Sequence, residues 1–299
     1  MKHREGVPDI DYLYPGHLAC PGCGAAIAMK FALKALGPKT MVVLPASCWG
    51  IIAGAYPQTG LKVPVMHTAF ATAGAAASGL RAALDIKGDT ETTVLAWAGD
   101  GGTFDIGFQS LSGAAERGED FIYACYDNEA YMNTGVQRSS STPYGMRTAT
   151  TPGTSWKRTR KKNIVEALAA HRIPYAATAS IAYPEDMIRK FVRARSVKGG
   201  VRFIHILASC PAGWRIPSES AVKVTRLAVL SNIFPLYEVK DGLHYTLNME
   251  GNRPVRPYIR MQGRFSHLTE EEIERIQEMV DSDWALLKEK ANCKQISIK

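Results

Sequence analysis

Thr92-Thr93-Val94-Leu95-Ala96-Trp97-Ala98-Gly99-Asp100-Gly101-Gly102 is the stretch on which the fold turns. Thr92 to Ala98 is an apolar run of strand length, and the glycines after it permit a tight turn with close approach of the backbone to a ligand. Ile106 to Gly118 has helical apolar spacing and a glycine stop, and Phe121-Ile122-Tyr123-Ala124-Cys125-Tyr126 reads as a second buried strand. Together they form a β-α-β unit. Parallel strands that pair directly leave their carboxyl ends roughly 4.8 Å apart. Asp100 and the segment Asp127-Asn128-Glu129-Ala130 are therefore expected on one rim.

A hard divalent cation such as Mg2+ takes oxygen ligands. The Asp100 carboxylate, the Asn128 side-chain carbonyl and the Ala130 backbone carbonyl can complete a shell begun by phosphate oxygens. Gly-Asp-Gly-Gly alone is also an ordinary strand-to-helix turn; the spaced Asp-Asn favours a metal-bound diphosphate.

The chain has 299 residues, 46% hydrophobic, with no apolar run of membrane-span length. A soluble α/β protein is expected, with a mostly parallel sheet flanked by helices. Met1-Lys2-His3-Arg4-Glu5-Gly6 lacks the apolar segment of a secretory signal, which predicts a cytoplasmic protein. Six cysteines in that setting point to metal or redox chemistry rather than a disulfide framework. The net charge of +8 suits an acidic partner, a phosphorylated cofactor or nucleic acid without choosing among them. The densest basic run, Lys157-Arg158-Thr159-Arg160-Lys161-Lys162, reads as a solvated loop, with partner docking as the rival.

Outward from the unit, residues 1–16 form an irregular arm, 17–216 an α/β domain, and 217–299 a carboxyl-terminal extension with a short helix, an extended proline-bearing stretch to Phe265 and a capping box at Thr269 and Glu272. Cys20-Pro21-Gly22-Cys23 introduces a helix through Leu33, Thr40 to Pro45 is a strand ending beside Cys48, and Val63 to His67 is a further short strand. Asn133 to Ser155 has the polarity and length of an active-site loop. Arg202 to Leu207 is a strand followed by Cys210. A parallel sheet delivers its strand ends to one edge, so Cys20, Cys23, Cys48 and Cys210 can converge near Asp100. Four thiolates suit either an iron-sulfur cluster or tetrahedral zinc, with unrelated cysteines as the remaining reading. Cys125 and Cys293 are assigned to packing and to an incidental thiol, and His17 and His67 to structural roles.

These motifs taken together, Gly-His-x-x-Cys-Pro-Gly-Cys-Gly, Cys48, Gly99 to Gly102, Asp127 to Gly135 and Cys210-Pro211, resemble the beta subunits of 2-oxoacid:ferredoxin oxidoreductases, the pyruvate enzymes most nearly. The resemblance implies a thiamine diphosphate-binding fold, Mg2+ on Asp100, Asn128 and the Ala130 carbonyl, and a 4Fe-4S cluster on Cys20, Cys23, Cys48 and Cys210. It places Cys48, Gly99, Asp100, Gly101, Gly102, Asn128, Ala130, Tyr131, Met132 and Asn133 against the cofactor, with Asn133 also reaching the substrate. It implies oxidative decarboxylation of a 2-oxo acid with coenzyme A, electrons passing through the cluster to ferredoxin. Oxalate and branched-chain or aryl 2-oxo acids are alternatives to pyruvate. It further implies a hetero-oligomer in which an alpha subunit supplies the pyrimidine-side glutamate and a ferredoxin-like subunit carries further clusters, with neither nucleic acid nor membrane as a partner. The chain departs from the family pattern at Ala25, Trp49 and Asp127. Rival readings are a non-redox thiamine diphosphate decarboxylase with structural zinc and a zinc-stabilised basic interaction module.

Overall fold

The computed structural model describes residues 9–293; residues 1–8 of the expected arm and 294–299 of the expected extension lie outside them. Eight strands form one sheet: β1 (Thr40–Pro45), β2 (Val65–Thr68), β3 (Thr93–Gly99), β4 (Ile122–Asp127), β5 (Tyr175–Ser180), β6 (Arg202–Leu207), β7 (Tyr237–Lys240) and β8 (His244–Leu247). Their order is β2-β1-β3-β4-β6-β5-β7-β8. The first six are parallel, and β7 and β8 add antiparallel.

Alternation along the strands sorts their side chains onto two faces. Leu95 and Trp97 of β3 and Ile122, Ala124 and Tyr126 of β4 join one apolar cluster with α1 (Gly24–Leu36), α2 (Cys48–Ile52) and α6 (Pro184–Ser196). Val94, Ala96 and Ala98 with Tyr123 and Cys125 join the opposite cluster, with α3 (Ala73–Ile86), α4 (Phe108–Glu116), α5 (Ile164–Ala169) and the distal part of α10 (Glu270–Asn292). Covering both faces explains why these strands are near-continuous apolar runs. A third cluster lies over the carboxyl ends of the central strands. It joins Ala130, Leu207 and Trp214, the last in α7 (Pro211–Trp214), to residues of α8 (Ala221–Leu230), α9 (Arg256–Arg260) and the start of α10.

Three local expectations are corrected. The glycine-rich stretch after β3 is one turn of π-helix, Gly101–Ile106, rather than a tight turn, and α4 starts only at Phe108. Such a wide turn occurs in α-helices mainly at functional sites. The short strand starts at Val65, two residues later than read. The stretch expected to run extended to Phe265 contains β7, β8 and α9; the strands are only four residues each and carry too little alternation to announce themselves. The capping box is present, with Glu272 N donating to Thr269 Oγ1 at 3.2 Å and Thr269 N to Glu272 Oε2 at 2.8 Å. No helix of the described residues is long and apolar enough to cross a membrane.

Candidate active site

Four neighbouring parallel strands, β1, β3, β4 and β6, end on one rim, and the residues just beyond them are Cys48, Asp100, Asn128 and Cys210. The β3–β4 register pairs Gly99 with Tyr126, which sets Asp100 beside the turn into Asn128. A cavity of about 170 Å3 opens there. All ten residues expected against the cofactor line it: Cys48, Gly99, Asp100, Gly101, Gly102, Asn128, Ala130, Tyr131, Met132 and Asn133. Asn133 and Thr134 are exposed at its lip.

The terminal amide atom of Asn128 that faces the rim lies 3.1 Å from Asp100 Oδ1 and 3.0 Å from the Ala130 carbonyl oxygen. With its nitrogen turned inward, the amide donates to both oxygens. With its oxygen inward, that oxygen stands about 3 Å from each of the other two, the edge length of an octahedron whose metal-oxygen distance is about 2.1 Å. The donor set and spacing thus fit a small divalent cation. Asp100 is buried, and Ser139 Oγ donates to its Oδ2 at 2.6 Å. Burial first, and the charge of Asp127 second, raise its pKa well above the usual carboxylate value. A cation at this position would relieve both effects.

Beneath the rim, burial tends to raise the pKa of Asp127, but Lys161 and His205 outweigh it and hold the carboxylate ionised. Lys161 Nζ lies 2.5 Å and His205 Nε2 2.7 Å from Asp127 Oδ2. Ser141 Oγ, at 2.6 Å from each carboxylate oxygen, and Glu129 N, at 2.8 Å from Oδ1, donate to it as well. Burial keeps the His205 pKa low despite that carboxylate, so the neutral ring donates through Nε2.

The thiols gather on the side of β1 and β6. Gly24 N donates to Ser209 O at 2.9 Å, and a β-carbon on Gly24 would stand 2.6 Å from Ser209 N, so only glycine lets the Cys20-Cys23 turn lie on the strand end that leads to Cys210. Burial raises the pKa of Cys48 to about 12, with further upward pushes from Cys210, Cys23, Asp100 and Cys20. Burial likewise raises those of Cys23 and Cys210. Among the described residues, no three His, Cys, Asp or Glu side chains are set to hold a single metal ion.

Residues 46–206 match the family model of the thiamine pyrophosphate enzyme C-terminal TPP-binding domain. Ketoisovalerate oxidoreductase subunit VorB of Pyrococcus furiosus is 48% identical over 97% of this chain and 97% of that one. The chain belongs to the 2-oxoacid:ferredoxin oxidoreductase beta subunits. Pyruvate synthase subunit PorB of Methanothermobacter marburgensis is also 48% identical, over 92% of this beta subunit and 97% of its own length. Among solved structures, the 2-oxoglutarate:ferredoxin oxidoreductase from Magnetococcus marinus shares the fold, with a TM-score of 0.59 at 22% identity over 74% of this chain and 82% of that one.

The basic run of this beta subunit is a loop with Arg158, Thr159, Arg160 and Lys162 exposed, as expected, but Lys157 and Lys161 turn inward. Lys157 is 3% exposed, with its ammonium on the carbonyls of Ser140 and Thr142, and burial, joined by Arg138 and Lys161, lowers its pKa to about 8. Lys161 is held by Asp127 and Glu129, and Lys162 by the Phe104 carbonyl. Arg158 stacks on Trp156, and Arg160 pairs with Asp283 at 2.5 Å. Two of the departures from the family pattern meet in the core, where Trp49 Nε1 donates to Ala25 O at 3.3 Å. His17 Nδ1 accepts from Ala19 N at 3.3 Å, and His67 sits exposed on edge strand β2. Cys125 is buried in β4 and Cys293 is exposed.

Sequence reasoning missed Ser139, Ser141, Lys161, His205, Trp214 and Arg264. The signals were the polar run Ser139-Ser140-Ser141-Thr142 within the expected active-site loop and, for Lys161, the basic run that contains it. A larger cavity of about 380 Å3 behind Glu129, Lys161 and His205 was also unannounced.

Gly101 offers a local test. A β-carbon there would stand 2.5 Å from two ring carbons of Tyr131, whose hydroxyl donates to Asp105 Oδ2 at 3.0 Å. Gly101→Ala is expected to displace that ring from the cavity wall, at a cost of about 1–3 kcal/mol. Denaturant melts should show the loss of stability, and thiamine diphosphate titration should show weakened binding.

Proposed function

We propose that this chain is the thiamine diphosphate-binding and electron-accepting subunit of an enzyme that oxidatively decarboxylates a 2-oxo acid with coenzyme A and ferredoxin. The observation that carries the proposal is the convergence of Asp100, Asn128 and Ala130 on one edge of a cavity whose wall includes Cys48. When bound, thiamine diphosphate supplies the nucleophilic carbon and electron sink, Mg2+ neutralises the diphosphate, and a 4Fe-4S cluster supplies a one-electron acceptor.

Asp100, the Asn128 amide oxygen and the Ala130 carbonyl would hold Mg2+, while the backbone of Gly99, Gly101 and Gly102 lines the diphosphate end. Tyr131 and Met132 form further wall, and Met132 reaches across to Gly213 in the turn that follows Cys210. Cys20, Cys23, Cys48 and Cys210 would carry the cluster. Their proximity supports this assignment: the half-buried thiols of Cys23, Cys48 and Cys210, whose pKa values neighbouring cysteines help to raise, ionise readily only beside compensating metal charge. Asn133, exposed at the lip, is positioned to meet substrate.

The open lip also supports completion of the site by another chain. An alpha subunit would bring the glutamate for the pyrimidine end, and a ferredoxin-like subunit the onward clusters. The beta subunits named for ketoisovalerate and for pyruvate match at the same 48% identity, so the proposal covers the class of 2-oxo acids.

Anaerobic purification with the native partners, followed by iron, sulfide and thiamine assay, tests it. Both cofactors should be present. The complex should reduce a viologen dye with coenzyme A and either pyruvate or 2-oxoisovalerate. A preparation with neither iron nor thiamine overturns the reading, and iron-free thiamine protein would favour the non-redox decarboxylase instead.

A further inference from the structure

We infer that Glu129 is a positioning residue that sets how tightly the rim holds its divalent cation, because Arg264 and Lys161 clamp it from two sides. The inference rests on the Mg2+ reading of Asp100, Asn128 and Ala130 given above.

Glu129 stands between two of the three proposed ligands with φ +70°, a left-handed conformation that side-chain-bearing residues rarely adopt. Its four hydrogen-bonding groups are all engaged. The side chain receives Arg264 Nη2 on Oε2 at 2.6 Å and Lys161 Nζ on Oε1 at 3.0 Å. The backbone N–H donates to Asp127 Oδ1 at 2.8 Å, and the carbonyl accepts from Thr142 Oγ1 at 2.8 Å.

Arg264 also braces the preceding residue. Its guanidinium lies 3.9 Å from the Trp214 ring centre, and Trp214 Nε1 donates to the Asn128 carbonyl at 2.8 Å. With the Asn128 and Glu129 carbonyls and the Glu129 carboxylate occupied, the groups left facing Asp100 are the Asn128 side-chain amide and the Ala130 carbonyl. The Arg264 and Glu129 side chains are only 1% and 3% exposed. Such buried ion pairs are weak contributors to stability, because desolvation offsets their attraction. Stability alone is therefore a poor reason for this one, whereas fixing a strained ligand loop is a sufficient one.

The test uses the assembled complex, stripped of metal with a chelator and resupplied with thiamine diphosphate. Mg2+ binding is followed by calorimetry, and Mn2+ binding by loss of the free-ion electron paramagnetic resonance signal. Arg264→Met keeps an apolar stem without the guanidinium, and Glu129→Gly accepts the left-handed backbone without the clamp. Each should raise the half-saturating Mg2+ concentration by about tenfold or more, the usual effect of removing a partner behind a metal ligand. Iron content should not change. Arg264→Lys should recover part of the loss by returning one charged donor.

An unmoved half-saturation point in both variants overturns the inference, whatever their melting temperatures. Should either variant fail to fold, Glu129→Gln keeps the shape and one acceptor, and the absence of a smaller rise there overturns it equally. Wild-type cofactor binding that ignores chelator and Mg2+ defeats the metal reading itself, and that outcome is read without any variant.

Discussion

Asp100→Asn is expected to strip the complex of thiamine diphosphate and Mg2+ while leaving its iron content and visible spectrum intact. Replacement of an outer partner of a metal ligand costs about 10- to 100-fold in affinity, so loss of the one charged side chain proposed as a ligand should reach at least the upper end of that range. Equilibrium dialysis against thiamine diphosphate at several Mg2+ concentrations measures it. Full retention of affinity and turnover would show that the carboxylate is not a ligand.

The same variant should behave oppositely without cofactor. Asp100 is buried, and burial together with Asp127 raises its pKa well above the usual carboxylate value. In the window between the unfolded and folded values the folded protein binds more protons than the unfolded chain, so stability falls as pH rises through it. Cofactor-free wild type should lose stability as pH climbs from about 4, and the variant should lack that slope. It should also melt higher at neutral pH, since a neutral amide replaces a buried acid whose charge is opposed by burial and by Asp127. Thermal melts of the stripped complex across pH check both statements.

Cys210→Ser should produce the complementary phenotype. Cys210 Sγ accepts from Gly213 N at 3.4 Å, and a serine hydroxyl can cap that turn in its place. Trp214 then stays where its Nε1 supports the Asn128 carbonyl, and the cation loop is undisturbed. Thiamine diphosphate should bind as before. Iron content should fall, and viologen reduction should drop by about a hundredfold or more, in line with loss of a direct ligand. Retained iron with normal electron transfer would exclude Cys210 from the set. Because Cys48 has its pKa raised to about 12 by burial and the surrounding thiols, reconstitution of the metal-free complex should be faster at higher pH, where less work is needed to deprotonate it.

The parallel sheet and the cavity wall were legible for the same reason. Strands buried on both faces are written as continuous apolar runs, and the residue after each run must lie on the shared rim, so Asp100, Asn128, Cys48 and Cys210 could be placed from their offsets alone. The basic run misled at two of its lysines because charge pattern does not encode burial. Lys157 and Lys161 are written like their exposed neighbour Arg158, yet they lie among carbonyls and carboxylates contributed by residues far away in the chain.

By itself, then, the amino-acid sequence determined the alternation of strand and helix, the family, and the ligand types available at the rim, since each is written in local periodicity or short spacing. Only the tertiary structure decided which charges support them. Arg264 lies 135 residues from Glu129, and His205 lies 78 from Asp127. Contacts over such separations come from the packing of the third apolar cluster and from strand register, which no local pattern records.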